Sequence, residues 1–535
     1  MPTTMNTKAK TVLLAILTLL CCSTASFGQD VEQWGRFEKS FTGPSSGNPF
    51  TKVDFSAEFR LKGSSAAPVK VRGFYDGDGQ YLLRFMPFEP GEWEYRTSSN
   101  VRALNGRKGS FVCAPSSLDG PVRVDGEHAF RYAGGGRFYP FGTTAYAWIH
   151  TTDEIQKETL ESLEAAKFNK VRMCLFPKFY QYINIEPTLF PYERKADGSF
   201  DFETFNPEFF HHLEKRIMQL DSIGVQADLI LFHPYDKGHW GFDSMPKEAN
   251  LRYIEYVCAR LSSFSNVWWS LANEYDYVKA KTDEEWAEYI SAVRRNDPYG
   301  HLCSIHGSTA KYYPYWGDEL THTSIQDEGP VLDGGRASIL YCVYRKPVIL
   351  DEVAYEGNLP SRWGWLSGEE MLYRIWNGLT CGVYVTHGEC YNDYPAQKDT
   401  IFWAAGGKWR GESWKRIAFA RGIMESLPNP PRLADVSRDL LTSAAGEGQY
   451  LLYFGKTVQD EWMFNLPQKN STFGNLSAGK RFRVQIVDTW NMTVEDVPGV
   501  FETGELETYR FFDVNHRRIR LPLRPYLLLR IYPAQ

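Results

Sequence analysis

The chain has 535 residues, 43% of them hydrophobic and 23% charged, which makes it a globular protein long enough for more than one core. A formal charge of -6, with no clustered Lys/Arg face, excludes nucleic acid and other polyanions as partners. The aromatic share of 15% suits large cores and sandwich domains, and equally suits platforms on which sugar rings stack.

At the N-terminus, Lys8 and Lys10 precede an apolar stretch from Val12 to Leu20, followed by small residues up to Gly28. This order predicts a signal peptide over residues 1–28, because the apolar run is too short to span a bilayer as a mature helix. The mature protein is therefore expected to be secreted or periplasmic. Lipid anchoring through Cys21 or Cys22 is the lesser alternative, since Leu20 before Cys21 is large for such a site. No later run reaches membrane-spanning length.

Residues 29–117 alternate apolar and polar positions and are broken by turn residues. The segment Val69-Lys-Val-Arg-Gly-Phe-Tyr runs into the turn Asp76-Gly-Asp-Gly79 and out through Tyr81-Leu-Leu-Arg-Phe-Met, which is hairpin chemistry. An Ig-like β-sandwich is expected here, closed by a Ser/Pro/Gly-rich linker at residues 114–121.

From residue 122 to 430 the rhythm changes to strand, helix, strand. Eight apolar runs are predicted as strands: Tyr139–Ala145, Lys170–Phe176, Val225–Phe232, Val267–Ala272, Leu302–Ile305, Thr323–Ile325, Val348–Leu350 and Gly382–Thr386. Most lack alternation, as strands covered on both faces do. Ser/Thr-x-x-Glu boxes at Thr151–Glu154, Thr282–Glu285 and Ser367–Glu370 mark helix starts. Eight such units predict a central (β/α)8 TIM barrel. After the break Pro428-Asn-Pro-Pro431, residues 435–535 read as a C-terminal β-sandwich, giving a multidomain α/β plus all-β chain.

Of nine Cys, Cys174, Cys258, Cys303 and Cys342 fall in apolar segments and read as buried thiols, while Cys381 and Cys390 are placed to bridge a loop. No Cys/His spacing suggests zinc.

In such a barrel, polar residues at the C-terminal strand tips face the active site. The tips supply Arg172, His233, Asn273 with Glu274, His306, Gln326 with Asp327, Glu352, and His387 with Glu389. Glu274 and Glu352 end strands four and seven and are the candidate catalytic pair, since a retaining glycosidase needs two carboxyls about 5 Å apart. His233 and His306 either line a sugar subsite or cap their strands. Trp240, Trp363 and Trp365 lie in loops at the expected mouth, where they stack on sugars or anchor the loops. Asp351, beside Glu352, is expected on the opposite side of its strand in a structural role.

Asn-Glu closing strand four and Glu closing strand seven resembles glycoside hydrolase clan A. The sandwich, barrel, sandwich layout is more specifically similar to secreted polysaccharide-utilisation enzymes related to apiosidases. The resemblance implies that Glu274 is the acid/base, Glu352 the nucleophile, Asn273 a donor to the sugar 2-hydroxyl and Arg172 a support for the nucleophile. It also implies a Tyr closing strand six to hydrogen-bond the nucleophile. Here that strand reads Thr323-Ser-Ile-Gln326, so Gln326 or Tyr355 is expected to replace it.

The expected function is a retaining hydrolase of O-glycosidic bonds in an oligosaccharide or polysaccharide, with a carbohydrate substrate and no metal or organic cofactor. A catalytically inactive carbohydrate-binding barrel is the alternative, and the intact carboxylate pair argues against it. A barrel esterase or lyase ranks last, because no Gly-x-Ser-x-Gly elbow is present. Sugar identity and oligomeric state have no signature in the chain.

Overall fold

The structure, a computed structural model, describes residues 30–183, 185–329, 334–392, 400–435, 439–470 and 472–534. The predicted leader, with Cys21 and Cys22, lies outside them.

The first strands form two sheets, one built on Phe55–Leu61, Gly91–Ser99 and Lys108–Ala114, the other on Phe37–Thr42 and Gln80–Phe85. Along Gly91–Ser99, Trp93, Tyr95 and Thr97 alternate inward. Phe59 of one sheet stacks on Phe85 of the other at 4.1 Å, so the sheets share one aromatic core. The hairpin turn at Asp76–Gly79 carries three successive left-handed residues, Gly77, Asp78 and Gly79, which explains its glycines.

A three-stranded meander follows, over Val122–Asp125, Ala129–Tyr132 and Arg137–Phe138. Its Phe130 packs against Trp268 and Tyr384, sealing the N-terminal ends of the next set of strands.

All eight predicted strands recur in the predicted order, as Gly142–Thr144, Lys170–Cys174, Gln226–Phe232, Val267–Ala272, Cys303–Ser304, Thr323–Gln326, Val348–Glu352 and Tyr384–Val385. Strands one to five pair in parallel, as do six to eight. Single parallel bridges, His306 to Ser324 and Thr143 to His387, join the two groups at both seams, so the eight segments form a ring. Helices follow every strand of the ring except the fifth: between Ser304 and Thr323 the chain is turn and loop.

Helix starts behave as the boxes predict, with one shift. Thr282 and Glu285 cap each other reciprocally, and Ser367 accepts the Glu370 N–H. At the first box the cap is Thr152 rather than Thr151, and it receives the Ile155 N–H.

Beyond residue 431 the antiparallel strands form one continuous nine-stranded, barrel-like sheet beside a separate two-stranded ribbon, where two facing sheets were expected. The reason is Phe501–Glu507, which pairs with Arg481–Asp488 on one side and Arg510–Asp513 on the other and bends at a register shift between Thr503 and Leu506.

No disulfide joins Cys381 to Cys390; both are buried thiols. Cys342, expected to be buried, is exposed.

Candidate active site

Strand four delivers its carboxylate by a backbone turn. Asn273 continues the ladder, donating its N–H to Phe232 O at 3.0 Å. Glu274 then adopts a left-handed conformation, φ 48°, which swings the chain out of the sheet. A non-glycine residue costs about 1–2 kcal/mol in that region, so its neighbours must hold it. His306 does so: its Nδ1 accepts the Glu274 N–H at 3.4 Å and its carbonyl accepts the Tyr275 N–H at 2.9 Å.

Strand seven uses a different device. Ile325 pairs with Leu350 but Gln326 pairs with Glu352, so one extra residue is accommodated in a β-bulge. Two consecutive side chains, Asp351 and Glu352, consequently both point into the ring. This corrects the expectation that Asp351 faces the other side. Asp351 accepts hydrogen bonds from Ser324 Oγ (2.5 Å) and Thr386 Oγ1 (2.7 Å) and pairs with Lys170 Nζ at 2.9 Å. Lys170 also pairs with Asp228 at 2.8 Å, and Arg172 Nε lies 3.7 Å from Asp228 and 3.9 Å from Asp351. Although burial opposes ionisation of Asp351, the charges of Lys170 and Arg172 outweigh it and hold the carboxyl well below the usual range. Asp351 is structural, as expected, and lies in the ionic floor of the site.

Above that floor, Arg172 Nη1 lies 3.9 Å from Glu352 Oε1, and Arg172 Nη2 donates to Asn273 Oδ1 at 3.3 Å. The phenol that hydrogen-bonds Glu352 belongs to Tyr146, directly after strand one; Asn273 Oδ1 is its second acceptor, at 3.2 Å. Neither Gln326 nor Tyr355 fills the role proposed for them. Gln326 donates to Glu328 Oε1 at 2.9 Å and stands beside Glu274. Tyr355 is buried next to Tyr146 and Glu352, its hydroxyl unpaired with Glu352. The Tyr355 ring lies where a Cβ on Gly388 would sit, 2.0 Å from the nearest ring atom, which requires glycine there.

The two carboxyls occupy different surroundings. Burial, then the neighbouring charge of Glu352, pushes Glu274 up to about 8, against the opposing influence of Lys178 and Gln326. Glu274 Oε2 is buried and meets no hydrogen-bond partner among the described residues. Glu352, by contrast, has a phenol donor and a guanidinium beside it.

The other predicted residues divide. His233 hydrogen-bonds Phe176 O through Nε2 and accepts the Tyr235 N–H on Nδ1, so it caps its strand; burial holds it near 3, neutral. His387 is also buried and held near 3, between Thr143 Oγ1 (3.2 Å) and Ser413 Oγ (3.0 Å). Trp240 anchors its loop: it is buried, and its Nε1 donates to Glu186 Oε1 at 3.2 Å. Trp363 joins an aromatic group with Tyr182, Tyr355 and Trp403, its ring 5.0 Å from that of Trp403. Trp365 is 63% exposed.

Comparison with known proteins places this arrangement. The model of the apiosidase-like catalytic domain matches residues 124–383, and two domains of unknown function, DUF5060 and DUF5605, match residues 30–100 and 439–532. A solved structure from Bacteroides vulgatus ATCC 8482, provisionally named a glycoside hydrolase, is 54% identical over 95% of this chain and 100% of its own, with a TM-score of 0.91. The chain belongs to the apiosidase-like glycoside hydrolase family. A family 5 glycoside hydrolase from the same organism, 14% identical over 78% of this chain and 93% of its own, shares the fold with a TM-score of 0.55. Another glycoside hydrolase, 13% identical over 78% of this chain and 97% of its own, does so at 0.57. No curated protein matches the chain.

Sequence reading of this apiosidase-like chain missed two residues. Tyr146 was legible in principle, since the rule that reads polar residues off strand tips applies to strand one as well. Lys178, in the loop after strand two, carries no local signal; only the fold brings its ammonium over the Tyr146 ring, 3.8 Å from the centroid. Glu356, His387 and Glu389 bring ligand atoms within 4.8 Å of one another. Their donors are largely committed, His387 as above and Glu356 to the N–H groups of Glu412 and Ser413 and the Ser413 hydroxyl. These bonds tie residues 410–413 to the segments after strands seven and eight, and Glu389 Oε2 is buried with no hydrogen-bond partner among the described residues.

Proposed function

We propose that this protein is a secreted retaining glycosidase whose eight-strand ring is the (β/α)8 barrel of clan A. It would act on O-glycosidic bonds of an oligosaccharide or polysaccharide. The observation that carries the reading is the unequal pair: Glu274, with an unpartnered buried oxygen and a carboxyl pushed up to about 8 by burial, and Glu352, faced by Tyr146 and Arg172. Pairs of carboxyls whose environments differ in this way divide acid and nucleophile roles.

In the first step a Glu352 oxygen bonds to the anomeric carbon as the glycosidic bond breaks, and Glu274 gives its proton to the leaving oxygen. Glu352 becomes a neutral ester and Glu274 a carboxylate. In the second, Glu274 takes a proton from water, the water oxygen attacks the anomeric carbon, and the ester bond breaks to restore Glu352. Asn273, fixed by Arg172 and Tyr146, keeps its amide N–H groups for the sugar. Trp363 and Trp403 supply the aromatic wall. Residues 29–117, 122–430 and 435–535 are the proposed units, with export directed by residues 1–28.

Activity of Glu274→Gln and Glu352→Gln on a panel of aryl glycosides tests the pair. Glu352→Gln should abolish turnover. Glu274→Gln should lose about 10²–10⁴-fold on poor leaving groups and far less on dinitrophenyl glycosides, which depart without a proton. Full activity in either variant rejects the assignment.

A further inference from the structure

Lys178 is 2% exposed, burial lowers its pKa against the opposing charges of Glu352 and Glu274, and its ammonium stands at ion-pair distance from no carboxylate among the described residues. It rests instead in an aromatic cage, 3.8 Å from the Tyr146 ring centre, 4.1 Å from Tyr235 and 5.5 Å from Trp403. Such rings attract a desolvated cation but do not neutralise it. The Tyr146 ring beneath it is also the one whose hydroxyl bonds Glu352, so the cage is part of the site.

The groups around Lys178 come from many strands. Arg172 and Cys174 lie on strand two, His233 follows strand three, Glu274 follows four, His306 follows five and Glu352 ends seven. Most have fixed charge. Burial raises Cys174 to about 12 and keeps His233 and His306 neutral, while Arg172 faces Asp228, Asp351 and Glu352. Glu328, near Glu274, is itself raised by burial. Double displacement changes the charge on only two of these neighbours, since negative charge leaves Glu352 and appears on Glu274, then returns.

We propose that Lys178 is a positioning residue, the counter-charge shared by Glu274 and Glu352, serving whichever of the two is ionised. The idea rests on the retaining mechanism proposed above. Because the ammonium lies outside ion-pair distance of both carboxyls, it biases each without locking either. A close pair with Glu274 would keep the acid ionised and spoil the first step. Without any cation, the carboxylate formed on Glu274 would lack a counter-charge when it must accept the proton of water.

The test is the pH dependence of kcat/KM for wild type, Lys178→Met, and Lys178→Cys alkylated with 2-bromoethylamine to restore an ammonium, with wild type treated identically. Removing a cation raises the pKa of a nearby acid, so the alkaline limb set by Glu274 should move up by about one pH unit in Lys178→Met. It should return in the alkylated Lys178→Cys protein. The methionine variant should also turn over about tenfold more slowly at acidic pH. An unmoved limb, or a loss equal at all pH values, overturns the proposal. So does a changed preference for acidic over neutral sugars with the limb fixed, which would make Lys178 a substrate ligand. A fluorinated aryl glycoside run in parallel on wild type separates the two readings. An adduct on Glu352 with an unmoved limb rejects Lys178 alone, whereas an adduct elsewhere rejects the mechanism beneath it.

Discussion

At the scale of single residues, the site is an arrangement of unequal environments. In the proposed mechanism Glu274 is the general acid, because burial and the charge of Glu352 push its carboxyl up to about 8. The kcat/KM profile should fall with an alkaline limb near that value, measured on an aryl glycoside with a poor leaving group; a limb absent up to pH 10 would contradict the role. Tyr146 is the phenol donor to Glu352. Tyr146→Phe should lower kcat/KM about 10–100-fold, because a hydrogen bond to a charged group is worth about 1.5–3 kcal/mol. The proposed pair, Glu274 and Glu352, was legible in the sequence because apolar runs ending in carboxyls stand out. Tyr146 and Lys178 were not read, since their roles depend on reaching across the ring from strand one and the loop after strand two.

At the scale of elements, the strands were readable because a parallel sheet buried on both faces demands unbroken apolar runs. What could not be read was the bulge in strand seven. Simple alternation assigns Asp351 and Glu352 to opposite faces, and only the shifted pairing with strand six brings both inward. The fifth strand lacks a following helix for an equally local reason, as residues 305–322 form a loop whose Tyr315 hydroxyl ties Ile305 O at 2.7 Å and also bonds Ser324 O. The segment after strand eight contributes Gly388, against which Tyr355 packs. Gly388→Ala should therefore displace Tyr355 from beside Glu352, lowering kcat about tenfold or more and costing about 1–3 kcal/mol in unfolding by denaturant, the usual range for overpacking. Unchanged activity and stability would show that the ring position does not matter.

At the scale of the whole molecule, the N-terminal sandwich and the ring share a buried ionic junction. Arg84 grips Glu214 through two hydrogen bonds, 2.8 and 2.9 Å, and Arg260 joins them at 2.7 Å while reaching Asp76. Burial opposes the Glu214 charge, but Arg260 and Arg84 prevail and hold the carboxyl down at about 2. A carboxyl lowered in the folded state stabilises above its ordinary pKa of 4.5, and that stabilisation is lost as pH falls towards 2. Glu214→Ala should cost about 3–5 kcal/mol at neutral pH, because it breaks a buried ion pair and leaves Arg84 with Glu38 alone and Arg260 with Asp76 alone as carboxylate partners. Thermal unfolding would show this as a lower midpoint whose deficit shrinks in acid; a deficit independent of pH would contradict the ionic account. The junction was invisible in sequence, since its members come from three distant segments and carry no shared motif.

Incubation with a panel of 2,4-dinitrophenyl 2-deoxy-2-fluoroglycosides followed by peptide mass mapping shows whether Glu352 forms the proposed covalent intermediate. One fluoroglycosyl adduct is expected, on the peptide carrying Glu352 and absent from Glu352→Gln. An adduct on a different residue, or hydrolysis that proceeds with inversion at the anomeric carbon, would contradict the proposal.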